Sequence, residues 1–127
     1  MRESGAQYFP RVWAARAMRY VRHESGPAGD AALAALMTGL ADEHWRVREM
    51  SAKVVALHEV GAAADALPPL LHDETPRVRA AAARALGAAG EHEHLSMVDA
   101  ASDDTDPGVV RAAERALARL RLRLDIV

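Results

Sequence analysis

The sequence predicts an all-α fold, a solenoid in which helix pairs are stacked in a row. Three observations lead to this prediction. A segment recurs along the chain at a fixed offset of 31 residues, and within it apolar residues follow the 3.6-residue period of a helix. In addition, half of the 127 residues are hydrophobic while only 4% are aromatic. A core built from alanine, leucine and valine suits closely packed helices.

Composition excludes several classes of protein. With 27% charged residues beside the apolar half, the chain is not disordered, and no apolar run approaches the roughly 20 residues of a membrane helix. The absence of cysteine removes disulfides, thiolate nucleophiles and cysteine metal sites. Residues 1–13 lack the apolar core of a signal peptide. We therefore expect a cytoplasmic domain with no membrane partner.

The recurring segment divides the chain into repeats. Asp73–Leu86 is echoed by Asp104–Leu117, and the same step backwards leads to a weaker copy at Asp42–Val55. A degenerate fourth copy lies at Arg11–Val21, as is common for terminal repeats. The expected single domain, residues 1–127, comprises an N-terminal half-repeat or cap at 1–27, repeats at 28–59 and 60–90, and a last repeat at 91–127 with a C-terminal tail.

Each repeat is predicted to contain two helices, of which the second is marked more clearly. In the middle repeat its apolar face consists of Val78, Ala81, Ala82, Ala85 and Leu86. The second helix of the middle repeat is predicted to begin at Pro76 and that of the last repeat at Pro107. At the first helical position the missing N–H of proline costs nothing. Just before it, Thr75 or Asp106 is expected to cap the free backbone amides.

The first helices of the repeats are less regular in sequence. They are predicted at 30–41, 62–71 and about 91–101. Pro68 and Pro69 fall inside the middle one, which must therefore bend or begin late. Glycines are expected to mark the joins between helices, at Gly61, Gly87 and Gly90.

A longer motif, Asp-x-x-Pro-x-Val-Arg-x-x-Ala-x-x-Ala-Leu-Gly, spans Asp73–Gly87. It resembles the HEAT-type repeat, in the short form found in phycobilisome-lyase-like proteins, and the resemblance covers about residues 28–120. It implies a right-handed superhelix whose second helices line the concave side. HEAT-like repeats serve scaffolds, transport factors, DNA-repair proteins and a few enzymes, so the resemblance is specific for fold rather than for function.

The same resemblance implies a structural ladder between repeats, formed by an aspartate and the arginine six positions later. It assigns Asp42 to Arg48 and Asp73 to Arg79. In the last repeat Val110 stands at the arginine position, so the ladder is expected to end there.

Charge is sorted by helix type. Fifteen of the sixteen basic residues lie on the predicted second helices, where Glu49 and Glu114 are the only acids. The resemblance therefore implies a basic concave surface. The residues expected to line it and bind a partner are Arg19, Arg46, Lys53, Arg77, Arg84, Arg111 and Arg115. The alternative is a solvated face, because arginine favours helices and basic groups favour helix C-termini.

The function expected from this surface is non-catalytic: a scaffold or interaction module that binds an acidic segment of a protein partner. Nucleic-acid binding through the same face, as in HEAT-like alkylpurine DNA glycosylases, is the alternative. It is disfavoured because no aromatic residue interleaves the basic positions and the isoelectric point, near 6.3, is low. A lyase-like accessory role in bilin attachment rests on fold analogy alone.

No catalytic residue, cofactor or metal site is expected. The pairs His23-Glu24 and His58-Glu59, with Glu91–His94, resemble the His-Glu pairs that hold the metals of deoxyhypusine hydroxylases, which are HEAT-like di-iron enzymes. In those enzymes the pair lies near the start of a second helix, whereas here the pairs fall at helix ends and turns, where ligands do not converge. No serine has a nucleophile-elbow or triad context. A His-Glu metal-dependent enzyme is accordingly the less favoured alternative.

Both ends of the chain carry apolar residues. Four of the five aromatics lie within residues 8–20 and are expected to cap the first helix pair, a docking surface being the alternative. From Leu120 onward leucine alternates with arginine, so the last helix is expected to fray into an extended tail. Such a terminus could pair with a second copy, giving a homodimer joined through a solenoid end.

Overall fold

The computed structural model describes residues 27–125, and within them every regular element is helical. The α-helices are α1 Pro27–Leu40, α2 Trp45–His58, α3 Pro76–Ala89, α4 Leu95–Ala101 and α5 Pro107–Arg123, and 3₁₀ helices lie at Gly61–Ala66, Pro68–His72 and His92–His94. Helix α3 packs directly against α2 and α5, so these second helices form a row. The predicted all-α solenoid is confirmed.

Some sequence predictions lie outside the described residues. They are the N-terminal cap with its aromatic cluster, the basic residue Arg19, the His23-Glu24 pair and the last two residues of the tail. None of the helices between residues 27 and 125 has the length and apolar character needed to cross a bilayer.

The second helices begin at the predicted prolines, but they are capped in different ways. Asp106 caps α5 as expected, since its carboxylate accepts a hydrogen bond of 3.0 Å from the Val109 N–H. Thr75 makes no side-chain cap to α3; instead its own N–H donates to the Asp73 carboxylate at 2.9 Å. Asp73, three residues before the first residue of α3, thus organises this turn.

The first helix of the middle repeat is replaced by two 3₁₀ turns. The expected helix at 62–71 is divided at Leu67 into Gly61–Ala66 and Pro68–His72. The two prolines supply no N–H to an α-helical ladder, and the short i to i+3 pattern tolerates them at its start. Leu67 is nevertheless fully buried, so the turns still cover the core.

Two of the glycines predicted to mark the joins between helices, Gly61 and Gly87, do not end a helix. Glu59, with φ of 51°, ends α2 in the left-handed region, two residues before Gly61. Gly87 lies inside α3 rather than after it. A Cβ at Gly87 would lie 2.8 Å from the Cα of Ala116, so glycine is required there because α3 and α5 approach closely.

The last helix does not fray at Leu120. Helix α5 continues to Arg123, because Leu120 is fully buried and holds this turn against the core. The Arg123 guanidinium donates to the backbone carbonyls of Gly87 and Gly90 at 3.2 and 3.0 Å. It satisfies carbonyls at the end of α3 that have no helical partner.

The ladder between repeats is formed with a different pairing from the expected one. Arg48 donates from Nε to the Asp73 carboxylate in the next repeat at 2.7 Å, while its Nη1 donates to the backbone carbonyl of Asp42 at 2.8 Å. Arg79 repeats the pattern, with the Asp104 carboxylate at 2.8 Å and the Asp73 carbonyl at 2.7 Å. The carboxylate partner is therefore in the following repeat, because the guanidinium fork reaches across the junction.

These ion pairs change the acidity of the carboxyl groups. Burial raises the pKa of Asp73, but the hydrogen bonds from Arg48 and from the Thr75 N–H outweigh it and leave the pKa below its usual value. The hydrogen bond from Arg79 lowers the pKa of Asp104 in the same way. Both carboxylates are thus bound in their charged form.

Candidate functional site: the second-helix groove

A groove runs over the row of second helices α2, α3 and α5. Its main part has a volume of about 550 Å³ and is lined by Lys53, Ala56, Leu57, Glu59, Ala81, Arg84, Ala112, Arg115, Ala116 and Arg119. A smaller part of about 370 Å³, toward the helix N-termini, shares Lys53 and Arg84 with it. We call the whole the second-helix groove. Three of the seven predicted basic residues, Lys53, Arg84 and Arg115, line its main part.

Arg84 and Arg115 are the cations of the groove whose charges are not balanced. Both side chains are exposed, and neither makes a hydrogen bond or ion pair with any residue in the described part of the chain. They are 31 residues apart, on the adjacent helices α3 and α5. A ligand that binds there meets two guanidinium groups ready for bidentate contact with anions.

The other cations of the groove are partly neutralised. Glu49, only 8% exposed, accepts from Arg77 Nε at 3.0 Å and lies 3.5 Å from Lys53 Nζ. Glu59 lies 3.4 Å from Arg119. The electropositive part of the groove is therefore narrower than the sequence pattern indicates and centres on α3 and α5.

Two of the predicted basic residues lie elsewhere. Arg46 and Arg111 are exposed on α2 and α5 but do not line either part of the groove. The Arg46 guanidinium lies over the Trp45 ring, 5.3 Å from its centroid, and Arg77 lies at the same distance from that ring. Trp45 thus brings an aromatic ring into the basic surface; its contact with the adjacent Arg46 is local, whereas its contact with Arg77 joins two repeats.

The sequence interpretation also missed the edges of the groove. Leu57 and Arg119 lie one helical turn beyond Lys53 and Arg115, so they extend the same face. Leu57 is 74% exposed and gives the groove an apolar rim. The i to i+4 rule applied to the basic stripe would have found both residues.

One group of side chains has the residue types of a metal site. Ligand atoms of Asp65, Glu93 and His94 all lie within 4.8 Å of one another. His94 Nδ1 accepts the Glu91 N–H at 2.8 Å, so the ring proton is on Nε2, which donates to Asp65 at 2.9 Å. Nε2 then has no lone pair for a metal. This group fits a structural role, since His94 and Glu91 form a capping box.

Comparison with known proteins places these observations in a family. The profile of HEAT repeats matches residues 33–118. Deoxyhypusine hydroxylase-B of Oryza sativa subsp. japonica is 35% identical over 95 residues, which is 73% of this chain and 32% of the rice protein. The chain thus spans about a third of the length of this curated relative. No solved structure matches at a significant level.

This similarity contradicts the expectation of a non-catalytic scaffold. The rice relative is an enzyme by name, whereas the expected function was that of a non-enzymatic module. The interpretation was wrong because it searched this chain for a complete catalytic constellation, which a segment matching a third of an enzyme need not contain.

The metal ligands that the resemblance implies do not fit the described residues. Helices α2, α3 and α5 begin WRVREMSA, PRVRAAAA and PGVVRAAE, with no histidine in their first two turns. His58-Glu59 ends α2, and His94 is committed to the capping box. Within residues 27–125 the second helices therefore present cations where a metal centre needs histidine and carboxylate donors.

Proposed function

We propose that this chain, which belongs to the family of HEAT-repeat proteins, is a unit of an enzyme and binds the substrate in the second-helix groove. The observation that carries this proposal is the 35% identity to deoxyhypusine hydroxylase-B over 95 residues. The class of protein is inferred from this relative, and the binding site is inferred from the groove.

The residues of the groove favour binding over chemistry. Arg84 and Arg115 have no acidic partner in the described part of the chain, and guanidinium groups stay protonated at neutral pH. Such groups do not act as general bases, but they hold and orient anions. The contribution of this surface to an enzyme is therefore to position a carboxylate-bearing substrate.

The shape of the groove favours a protein substrate. It is open along the surface of three helices, whereas sites for small molecules enclose most of the ligand surface. The groove crosses three packed helices whose neighbouring axes lie about 8–10 Å apart, so a segment of a larger molecule can follow it. An acidic protein segment satisfies both the shape and the charge.

The proposal is tested by searching for covalent change. The purified chain is incubated with a protein extract of its host, which supplies the remaining parts of the enzyme and its cofactors, and peptide masses are compared with those of the same extract without added chain. We expect a mass change confined to a few acidic proteins. It should be strongly reduced with Arg84→Gln/Arg115→Gln, in which the two cations are neutralised.

A matched variant controls for general loss of positive charge. Arg121→Gln removes an exposed arginine of α5 that does not line the groove, so it should leave the mass change intact. Absence of any mass change that depends on the wild-type chain would contradict the proposal of an enzyme.

A further inference from the structure

The geometry points to one class of substrate segment. We infer that the groove receives an amphipathic helix with two carboxylates seven residues apart and apolar side chains between them. This inference rests on the proposed function, because it specifies how the acidic substrate is recognised. The charges, the helix spacing and the apolar surface of the groove each contribute to it.

The first step concerns the number of carboxylates. Glu49 forms ion pairs with both Lys53 and Arg77 and offsets one of their two charges, and Glu59 forms an ion pair with Arg119. Arg84 and Arg115 are the two groove cations that these acids leave unpaired. A ligand that complements the groove therefore carries two anionic groups, one for each guanidinium. More carboxylates would face the acids already present.

The second step concerns their spacing. Arg84 and Arg115 hold equivalent positions on packed neighbouring helices, whose axes lie about 8–10 Å apart. Seven residues of an α-helix rise about 10.5 Å and return to the same face. In an extended chain three residues cover about 10 Å, but successive side chains alternate, so the two carboxylates would point in opposite directions. A helix matches both distance and direction.

The third step concerns the surface between the two arginines. The floor there consists of Ala81, Ala112 and Ala116, which lets another helix approach closely. Leu57, 74% exposed, offers an apolar contact at the rim. On a helix with acids at the first and eighth positions, the fourth and fifth positions face this surface. Leucine or another apolar residue is expected there.

The test is the binding of designed peptides to the full chain, measured by fluorescence anisotropy at low and moderate salt. One labelled peptide, about 18 residues long so that a helix can form, carries two glutamates seven residues apart with two leucines between them. The control peptide has the same composition, with the glutamates two residues apart. We expect the first peptide to bind roughly tenfold more tightly, because only it reaches both arginines.

Variants of the chain locate the contact. Arg84→Gln/Arg115→Gln should reduce binding of the first peptide to the level of the control peptide, while Arg121→Gln should leave it unchanged. Circular dichroism of each variant shows whether the helices are retained. Preference for the first peptide that depends on these arginines supports the inference, whatever the result of the mass-change experiment.

Two results would overturn the inference. One is equal binding of the two peptides by the wild-type chain, and the other is tighter binding of duplex DNA than of either peptide, which would assign the groove to a phosphate backbone. A mass change that depends on Arg84 and Arg115 in acidic proteins, without preference for the helical peptide, would leave the enzyme proposal standing and remove only the substrate class.

Discussion

Arg48 and Asp73 lie in successive repeats, 25 residues apart in sequence, and their side chains are joined by a hydrogen bond of 2.7 Å. Arg79 and Asp104 repeat this relationship at the same separation in sequence. Since each arginine also binds the backbone carbonyl of the aspartate in its own repeat, one guanidinium links the turns that precede two successive second helices. The junction between repeats thus combines apolar packing with a directional polar contact.

Replacement of Arg79 should destabilise the fold substantially. Arg79→Gln leaves the Asp104 carboxylate, only 12% exposed, without its cation and the Asp73 carbonyl without its donor. We expect the free energy of unfolding to fall by about 2–3 kcal/mol, as measured by urea denaturation. The exposed Arg121→Gln should change it by no more than about 0.5 kcal/mol. Equal effects of the two substitutions would show that the ladder contributes little.

Stability should decrease in acid because of the same ladder. The pKa values of Asp73 and Asp104 are lowered in the folded state, so the unfolded chain binds more protons as pH falls through the range below about 4. The stabilisation is fully present above the unfolded pKa and is lost as pH falls through the folded pKa. Urea midpoints between about pH 6 and about pH 2 should show a weaker acid dependence for Asp104→Asn than for wild type. An unchanged dependence would contradict the assignment.

Ser51→Ala should stabilise the protein. The Ser51 hydroxyl is fully buried and has no hydrogen-bond partner among residues 27–125, whereas the equivalent positions in the next repeats are Ala82 and Ala113. Removing the unsatisfied hydroxyl should raise the free energy of unfolding by about 1 kcal/mol. The reverse change at the equivalent site, Ala82→Ser, should lower it by a similar amount. A destabilised Ser51→Ala variant would indicate that the hydroxyl has a stabilising contact.

Gly87→Ala should destabilise the protein although alanine is the better helix former. The added Cβ would lie 2.8 Å from the Cα of Ala116, which belongs to the backbone of α5 and cannot rotate away. We expect a loss of about 1–3 kcal/mol and a lower melting temperature. Gly61→Ala is the matched control, because a Cβ there meets no atom of the described chain within 4 Å. A neutral Gly87→Ala would mean that α3 and α5 separate readily.

The parts of the fold that local chemistry determines were predictable from the sequence. Pro76 and Pro107 mark where second helices begin, because proline at the first helical position is a local preference. The role of Gly87 was not predictable, because it depends on how closely α5 approaches. The partner of Arg48 was also missed: its own repeat and the next each offer an aspartate, and only packing decides which carboxylate the guanidinium reaches.

The position of the candidate site was predictable from the sequence, but the contacts between its side chains were only partly so. The 31-residue register placed Lys53, Arg84 and Arg115 on one surface, since equivalent positions on stacked helices are neighbours. It did not show that Glu49 also binds Arg77, because that contact joins two different repeats, whereas the Glu49–Lys53 pair lies within α2 at i to i+4 spacing. The His-Glu pairs gave an enzyme of the deoxyhypusine hydroxylase kind only as an alternative, since repeat architecture is shared by proteins of many functions and does not decide between them.

The pairing of each arginine with the aspartate of the following unit has a consequence for how such a chain can lengthen. In a duplicated unit inserted between two existing repeats, the aspartate would bind the arginine of the repeat before it. Its arginine would bind the aspartate of the repeat after it, so both new junctions would contain the same ion pair as the existing ones. Val110 ends this property, because a unit added after it would find no guanidinium to receive its carboxylate. Duplication of a unit within the ladder therefore reuses the same polar contact, whereas a junction formed after α5 would have to rely on apolar packing without it.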